Sequence, residues 1–433
     1  MKKTAFIVSV VFILVSLFSV FSVSAYTPTF EVAANNALLV NVDTEDRAYA
    51  KNTDSRISPA STVFMMVALI VAERTDDLNE VVTVNTAATA SLSGTGALVS
   101  LLKNGEQLTV EQLLHFLLIS SYNDVALIFA DHISGGADAF VTLMNDKAAI
   151  LGMEHTRFAS PTGLTRSDQY TTVDDMYRLA KAFFANKTLT DILAKARFKV
   201  EATNLSKART LATSNLMSDP TSSYYYKYMV SGKTGNGDEG RCLVSLCEKE
   251  GQSYICLVFR CTDKSTRQEF KDTKNLLNWI FDGFEYKTVV NEGDIVPVSA
   301  PIELSWDTDS MTLAAGSSVV ALLPKDADLS TIEYKPQLSK ATFDAPIKSG
   351  DVLGTASIVF ADESIGTVEL VATEDVDGST VLRIWRFLKS IVTNIFFIIG
   401  AIVVAVGFIV LTVMANIKAK RRREKKLRLK KRL

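Results

Sequence analysis

Residues 58–71 read SPASTVFMMVALIV. Ser58 and Pro59 form a helix start, with serine suited to the N-cap and proline to the first helical position. The spacing predicts a helix from Pro59 to about Glu73. Its apolar run (Val63, Phe64, Met65, Met66, Val67, Leu69, Ile70) is nearly continuous, so the helix is expected to be central and buried on most sides. Ser61 falls in its first turn, where helix dipole and unpaired amides favour a developing oxyanion. Phe64 follows three residues later on the same face. A serine acting as a nucleophile needs a proton acceptor nearby, and phenylalanine is not one.

Working outward, NNALLVNVDTEDRAYAKN (35–52) alternates apolar and polar residues around an acidic turn, as a hairpin does. LTVEQLLHFLLISSYNDVALIFADH (108–132) reads as two helices broken at Ser120-Ser121-Tyr122-Asn123. Helical patterns recur at 137–151, 173–186 and 267–282, and strands dominate from Tyr228 to Cys261. Strands flanking a helical middle predict an α/β sandwich rather than a Rossmann order. From Glu285 to about Val376, Val, Ile, Thr, Gly and Pro in short alternating runs predict a small all-β domain.

Both ends are apolar. Residues 1–25 have two lysines, an apolar run and the small-residue exit Val23-Ser24-Ala25, the layout of a signal peptide cleaved after Ala25; an uncleaved anchor is the alternative. Ser390–Ile417 carries no charge and exceeds the ~20 residues that cross a bilayer. KAKRRREKKLRLKKRL follows it, with a net charge of +10. A basic block abutting a span is expected to stay in the cytoplasm, with contact to anionic lipid as a secondary role; the direct junction argues against a nucleic-acid arm. Taking that tail and the first two lysines out of the overall −2 leaves about −14 for residues 26–417. The expected topology is an acidic domain outside, one span, and a short tail inside. The expected organisation is a signal peptide (1–25), a catalytic-type domain (26–284), a β domain (285–377), a linker (378–390), a membrane helix (391–416) and a basic tail (417–433). Arg383, Trp385, Arg386 and Lys389 in the linker suit a membrane–water boundary.

The three histidines (115, 132 and 155) are scattered, so neither a metal site nor a Ser-His-Asp site is expected, and His115 reads as a core residue. No cofactor is implied. Cys242, Cys247, Cys256 and Cys261 lie in one hairpin. A Gly251-Gln252 turn would set Cys247 opposite Cys256 and Cys242 opposite Cys261. Cross-strand disulfides and plain apolar strand residues are both compatible with that placement.

Three short motifs carry the chemistry: Ser61 at a helix start, Ser121-Tyr122-Asn123 between two helices, and Ser231-Gly232-Lys233-Thr234-Gly235 leading into a strand. Each is weak alone. In this order and context they are specific, and the chain resembles the penicillin-binding D-alanyl-D-alanine carboxypeptidases, low-molecular-mass serine peptidases, over nearly all of residues 30–378. The resemblance extends through FVTLMNDKAAILGMEHTRFASPTGL, YTTVDDM and APIKSGDVLGTASIVFADESIGTVELVATEDV.

It implies an α/β (α+β) serine-transpeptidase or β-lactamase-like domain, then a small all-β sandwich domain and a C-terminal transmembrane helix. It implies that Ser61 is the acylated nucleophile, that Ser121 relays a proton, and that Asn123 orients the substrate. Lys233 and Thr234 would engage the substrate carboxylate, with Gly235 and Asn236 beside them, and the amides of Ser61 and Asn236 would form the oxyanion hole. The implied ligand is a peptidoglycan stem peptide ending in D-Ala-D-Ala, with β-lactams as its mimics.

The departure is at the base. The family motif is Ser-x-x-Lys, and here it reads Ser61-Thr62-Val63-Phe64. No lysine lies between Lys51 and Lys103. General-base help is worth ~10²–10⁴ in rate, so an impaired enzyme, a pseudoenzyme that binds stem peptides, is the favoured expectation. The alternative is an active carboxypeptidase using Lys233, Asp124 or water as base. Thr162 in SPTGL, where many relatives have histidine, is a smaller departure.

Overall fold

The computed structural model describes residues 28–263 and 265–430. The expected signal peptide lies outside these residues. The chain divides into two compact units, one comprising the chain up to Glu285 with Leu323–Ala327, the other Tyr286–Leu322 with Asp328 onward.

The first unit opens with strands β1 (Asn36–Asn41) and β2 (Arg47–Lys51), the expected hairpin. A 3₁₀ turn, Ala60–Val63, leads into helix α1 (Phe64–Arg74). Eight consecutive residues of α1, Phe64–Val71, are buried, so the helix runs through the core as its composition requires. Ser58 approaches the expected cap: its hydroxyl accepts from the Ala60 amide at 3.4 Å. The regular helix nonetheless starts at Phe64, because Ala60 has φ +45° and the intervening residues wind in the tighter 3₁₀ form.

Next come β3 (Val81–Thr83) and β4 (Gln107–Thr109), then α2 (Val110–Leu118), α3 (Asn123–Ser134), α4 (Ala137–Ile150), α5 (Val173–Ala185) and α6 (Lys187–Ala194). Thr109 and Gln112 form a reciprocal capping box that fixes the start of α2. The short hairpin β3–β4 and a second one, β5 (Arg197–Val200) with β6 (Arg209–Ala212), interrupt a stretch that was expected to be helical throughout. These strands have only three or four residues, too few for a period-2 pattern to stand out. Strands β7 (Met229–Gly237), β8 (Gly240–Lys249) and β9 (Gln252–Cys261) and helix α7 (Gln268–Gly283) complete the unit. The five-stranded antiparallel sheet has the order β2-β1-β9-β8-β7.

The β8–β9 turn corrects the cysteine register. Lys249 pairs with Gln252, so the turn residues are Glu250 and Gly251, both at positive φ, the conformation of a two-residue hairpin. Cys256 therefore faces Ser245, and Cys247 faces Tyr254. All four cysteines are buried free thiols.

The second unit holds a six-stranded sheet. In spatial order its strands are Glu333–Leu338, Val352–Phe360, Glu363–Ala372, Ser310–Ala315, Ile295–Glu303 and Phe343–Asp344. Ile295–Glu303 alternates strictly, burying Val296, Val298, Ala300 and Ile302, and this period of two builds a core that includes Leu313, Ile358 and Leu370. Residues expected to be a linker form a helix, α8 (Thr380–Thr393), capped by Ser379. On α8, Arg383 donates to the Ala345 carbonyl at 2.7 Å, and Arg386 pairs with Asp344 and Glu303. Helix α9 (Ile395–Lys430) follows; its segment Ile398–Arg423 is the one helix among the described residues long and apolar enough to cross a membrane.

Candidate active site

The seam between the 3₁₀ turn and β7 is set by small residues. A Cβ at Gly235 would lie 2.4 Å from the Cys242 sulfur and 3.3 Å from the Ser61 amide nitrogen. At Gly163, where φ is +71°, a Cβ would come within 2.6 Å of the Ala60 carbonyl oxygen. Both glycines let backbone approach the Ser61 turn closely.

A cavity of about 840 Å³ opens over this seam and brings together Ser61, Ser121, Asn123, Thr234, Gly235 and Asn236, residues from all three motifs. Lys233 lies beneath, fully buried. Its Nζ donates to the Ser121 hydroxyl and, at 2.9 Å, to the Thr234 carbonyl. Burial draws its pKa down from the usual 10.5 to about 7, against a smaller opposing pull from Cys242. The Phe64 ring, also fully buried, lies under the same nitrogen at 5.5 Å from its centroid. No hydrogen bond joins the Ser61 hydroxyl to another group among the described residues.

Ser121 occupies the break between α2 and α3 with φ +60°, a left-handed conformation unusual for serine. The break exists because α2 ends at Leu118, and Asn123 starts the next helix while anchoring two loops. The Asn123 side-chain oxygen accepts from the Leu98 amide at 2.7 Å, and its nitrogen donates to the Thr162 carbonyl at 2.7 Å. Thr162 thus serves Asn123 through its backbone, which any residue there provides. Asp124 is not available as the alternative base: its carboxylate accepts the Ser100 hydroxyl at 2.6 Å and the Ser100 amide at 3.0 Å. Burial still raises its pKa, the Ser100 hydrogen bonds only partly offsetting it.

Ser214 completes the hydroxyl cluster and carried no motif. Its Oγ lies 2.6 Å from the Thr234 hydroxyl and 3.5 Å from that of Ser121. The neighbouring Asn215 ties this loop to β7 by donating to the Gly232 carbonyl at 3.2 Å. Arg241 and Arg267, on the cavity wall, each approach the buried Glu269 at 3.6 Å. Arg241 faces Asn236 across the turn Asp238-Glu239, so reading the Gly237–Gly240 hairpin from sequence would have located it. His115 is a core residue: stacked on Phe198, bonded through Nδ1 to the Glu111 carbonyl at 2.8 Å, and lowered by burial to a pKa of about 4. Among the described residues no group of His, Cys, Asp or Glu is arranged to hold a metal ion.

Comparison with known proteins bears on both parts of the chain. The profile described as D-alanyl-D-alanine carboxypeptidase matches residues 21–262, more than half of the chain. The chain belongs to the D-alanyl-D-alanine carboxypeptidase family. Residues 284–378 match the C-terminal domain of penicillin-binding protein 5. The chain is 26% identical to D-alanyl-D-alanine carboxypeptidase DacF of Bacillus subtilis over 343 residues, covering 79% of this chain and 85% of the relative. It is 28% identical to DacC of Escherichia coli over 348 residues, covering 78% and 83%. The crystal structure of the carboxypeptidase DacD from Francisella tularensis shares the fold, with a TM-score of 0.66 at 22% identity, over 82% of this chain and 96% of that one. The expected fold class, a carboxypeptidase-type α/β domain followed by a β-rich domain and an apolar C-terminal helix, therefore stands.

Proposed function

We propose that this family member recognises peptidoglycan stem peptides ending in D-Ala-D-Ala, with β-lactams as mimics, and cleaves them through Ser61 slowly or not at all. The observation that carries this reading is the Phe64 ring. It fills the position from which a base would serve Ser61, and the Ser61 hydroxyl has no hydrogen-bonded acceptor among the described residues. The placement of the remaining motif residues supports recognition. Thr234 and Asn236 face the cavity, Arg241 stands opposite Asn236, and Asn123 holds the loops around them. In this reading the Thr234 hydroxyl and nearby positive charge bind the terminal carboxylate. The amides of Ser61 and Asn236 face the scissile carbonyl.

The apolar C-terminal helix and its basic end support an anchored protein with the peptide-binding unit outside and the tail in the cytoplasm. The ligand is then encountered at the outer membrane face.

The test uses the full-length protein in detergent with a pentapeptide ending in D-Ala-D-Ala, beside the E. coli DacC protein. Saturable binding with D-alanine release at least about 100-fold slower than that of DacC is expected. Release at a comparable rate, abolished by Ser61→Ala, overturns the reading.

A further inference from the structure

With Phe64 in the base position, the serine of this cavity that does contact an amine is Ser121. Its Oγ is hydrogen-bonded to Lys233 Nζ, and among the described residues no carboxylate pairs with that lysine. Lys233 is held from below by the Phe64 ring and from the side by the Thr234 carbonyl. This leaves one direction, towards Ser121, in which the nitrogen meets a hydroxyl. Ser121 itself is part of the cavity wall and half-buried, so its oxygen is open to a ligand while its base is not. Its φ of +60° is maintained by the tight break between α2 and α3, and strained positions of this kind recur where a side chain is presented to a ligand. Ser61 has none of these supports except its place on the wall.

We propose that Ser121, with Lys233 as its base, is the acyl-accepting nucleophile of this cavity. The inference rests on the reading of the cavity as a site for D-alanyl-terminated peptides and β-lactams. With Nζ neutral, its lone pair accepts the Ser121 proton as Oγ forms a bond to the carbonyl carbon of the penultimate residue. The C–N bond to the terminal D-alanine then breaks, and the departing amine takes the proton from Nζ. Water adds to the resulting ester, passing a proton to Nζ. The Ser121 oxygen leaves and recovers that proton, and the acid product departs. With a β-lactam the same attack opens the ring, the proton goes to the lactam nitrogen, and the leaving group stays tethered. Burial brings Lys233 to about 7, so a large share of it is neutral near physiological pH. Ser214, between Ser121 and Thr234, extends the hydroxyl cluster towards the residue expected to hold the substrate carboxylate.

The experiment incubates the full chain in detergent with benzylpenicillin and maps the adduct by tandem mass spectrometry. The expected result is an adduct on Ser121 whose rate of formation rises between pH 6 and pH 8. Ser121→Gly, which suits the positive φ and so keeps the backbone, should lower labelling by about 100-fold or more with little change in melting temperature. Two results overturn the inference in different ways. An adduct on Ser61 sinks both this inference and the reading of Ser61 as unactivated. No adduct at all, or one on Ser121 formed at a rate indifferent to pH over that range, sinks the Ser121–Lys233 pair alone, and non-covalent penicillin binding measured by calorimetry then still supports recognition.

Discussion

Lys233 Nζ stands 5.5 Å from the centre of the Phe64 ring, one residue from strand β7 and the other from the start of helix α1. The amine thus lies over an aromatic face at the base of the cavity. A ring solvates a cation weakly compared with water or a carboxylate, worth about 0.5–2 kcal/mol. It thus leaves Lys233 close to neutrality while closing the space around it.

Replacing Phe64 by lysine should supply Ser61 with a proton acceptor. Phe64→Lys is expected to form a penicillin adduct on Ser61, at a rate about 10²–10⁴ above that of Ser61 in the parent chain. The new amine is buried in an apolar core, so the melting temperature should fall by roughly 5 °C or more. Intact-mass spectrometry and thermal melts check both. A folded variant without an adduct on Ser61 shows that Phe64 is not what silences it.

Lys233 makes stability depend on pH in a definite direction. Its folded pKa of about 7 lies below the unfolded value near 10.5. Between those values the unfolded chain binds more protons, so stability rises with pH through that window. The slope contributed by this one group approaches about 1.4 kcal/mol per pH unit in mid-window. Urea midpoints from pH 7 to pH 9.5 should climb more steeply in the parent than in Lys233→Met. Parallel curves refute the assignment.

Gly163 is a test of the seam beside Ser61. A methyl group there meets the Ala60 carbonyl at 2.6 Å and also sits at φ +71°. Gly163→Ala should lose about 1–3 kcal/mol from backbone strain alone. It should also weaken penicillin-site occupancy, because the turn carrying Ser61 must shift. Chemical denaturation reads the first effect and calorimetry the second.

Asn123 joins two loops through hydrogen bonds at 2.7 Å on each side. Asn123→Ala leaves the Leu98 amide and the Thr162 carbonyl without these partners, at about 1–3 kcal/mol for each group left unpaired in the interior. Asn123→Asp keeps an acceptor for the Leu98 amide but sets a buried carboxylate oxygen against the Thr162 carbonyl, so its loss should be at least as large. A smaller loss in Asn123→Asp than in Asn123→Ala contradicts this account.

The C-terminal helix predicts behaviour on extraction. The full chain should stay with membranes in alkaline carbonate, and a chain ending at Asp377 should not. Release of the full chain refutes a spanning role for α9.

The parts of this molecule legible in the sequence are those whose information is local. The burial of α1 follows from its continuous apolar run, the α2–α3 break from Ser120-Ser121, and the β unit from alternation such as Val296, Val298, Ala300 and Ile302. What escaped depended on partners distant in the chain or on single turn residues. Ser214 is marked by no motif, since its value lies in two hydroxyls that reach it from Ser121 and Thr234. The cysteine register turned on whether Glu250 or Gln252 shares the turn with Gly251, a choice worth two positions along the facing strand. Asp124 lay one residue from a motif and looked available as a base, yet Ser100 occupies it.

The four buried thiols have a consequence of their own. Burial pushes Cys242 and Cys256 up to about 12 and Cys247 and Cys261 upward as well. At neutral pH a thiol of that kind is thiolate only on the order of once in 10⁵ molecules, and thiolate is the form that exchanges with disulfides. The thiols of the sheet beneath the cavity should therefore exchange only slowly with disulfides for as long as β8 and β9 stay packed. Alkylation of these cysteines would then count openings of the sheet, giving a clock for local unfolding next to Ser61 that needs no introduced probe.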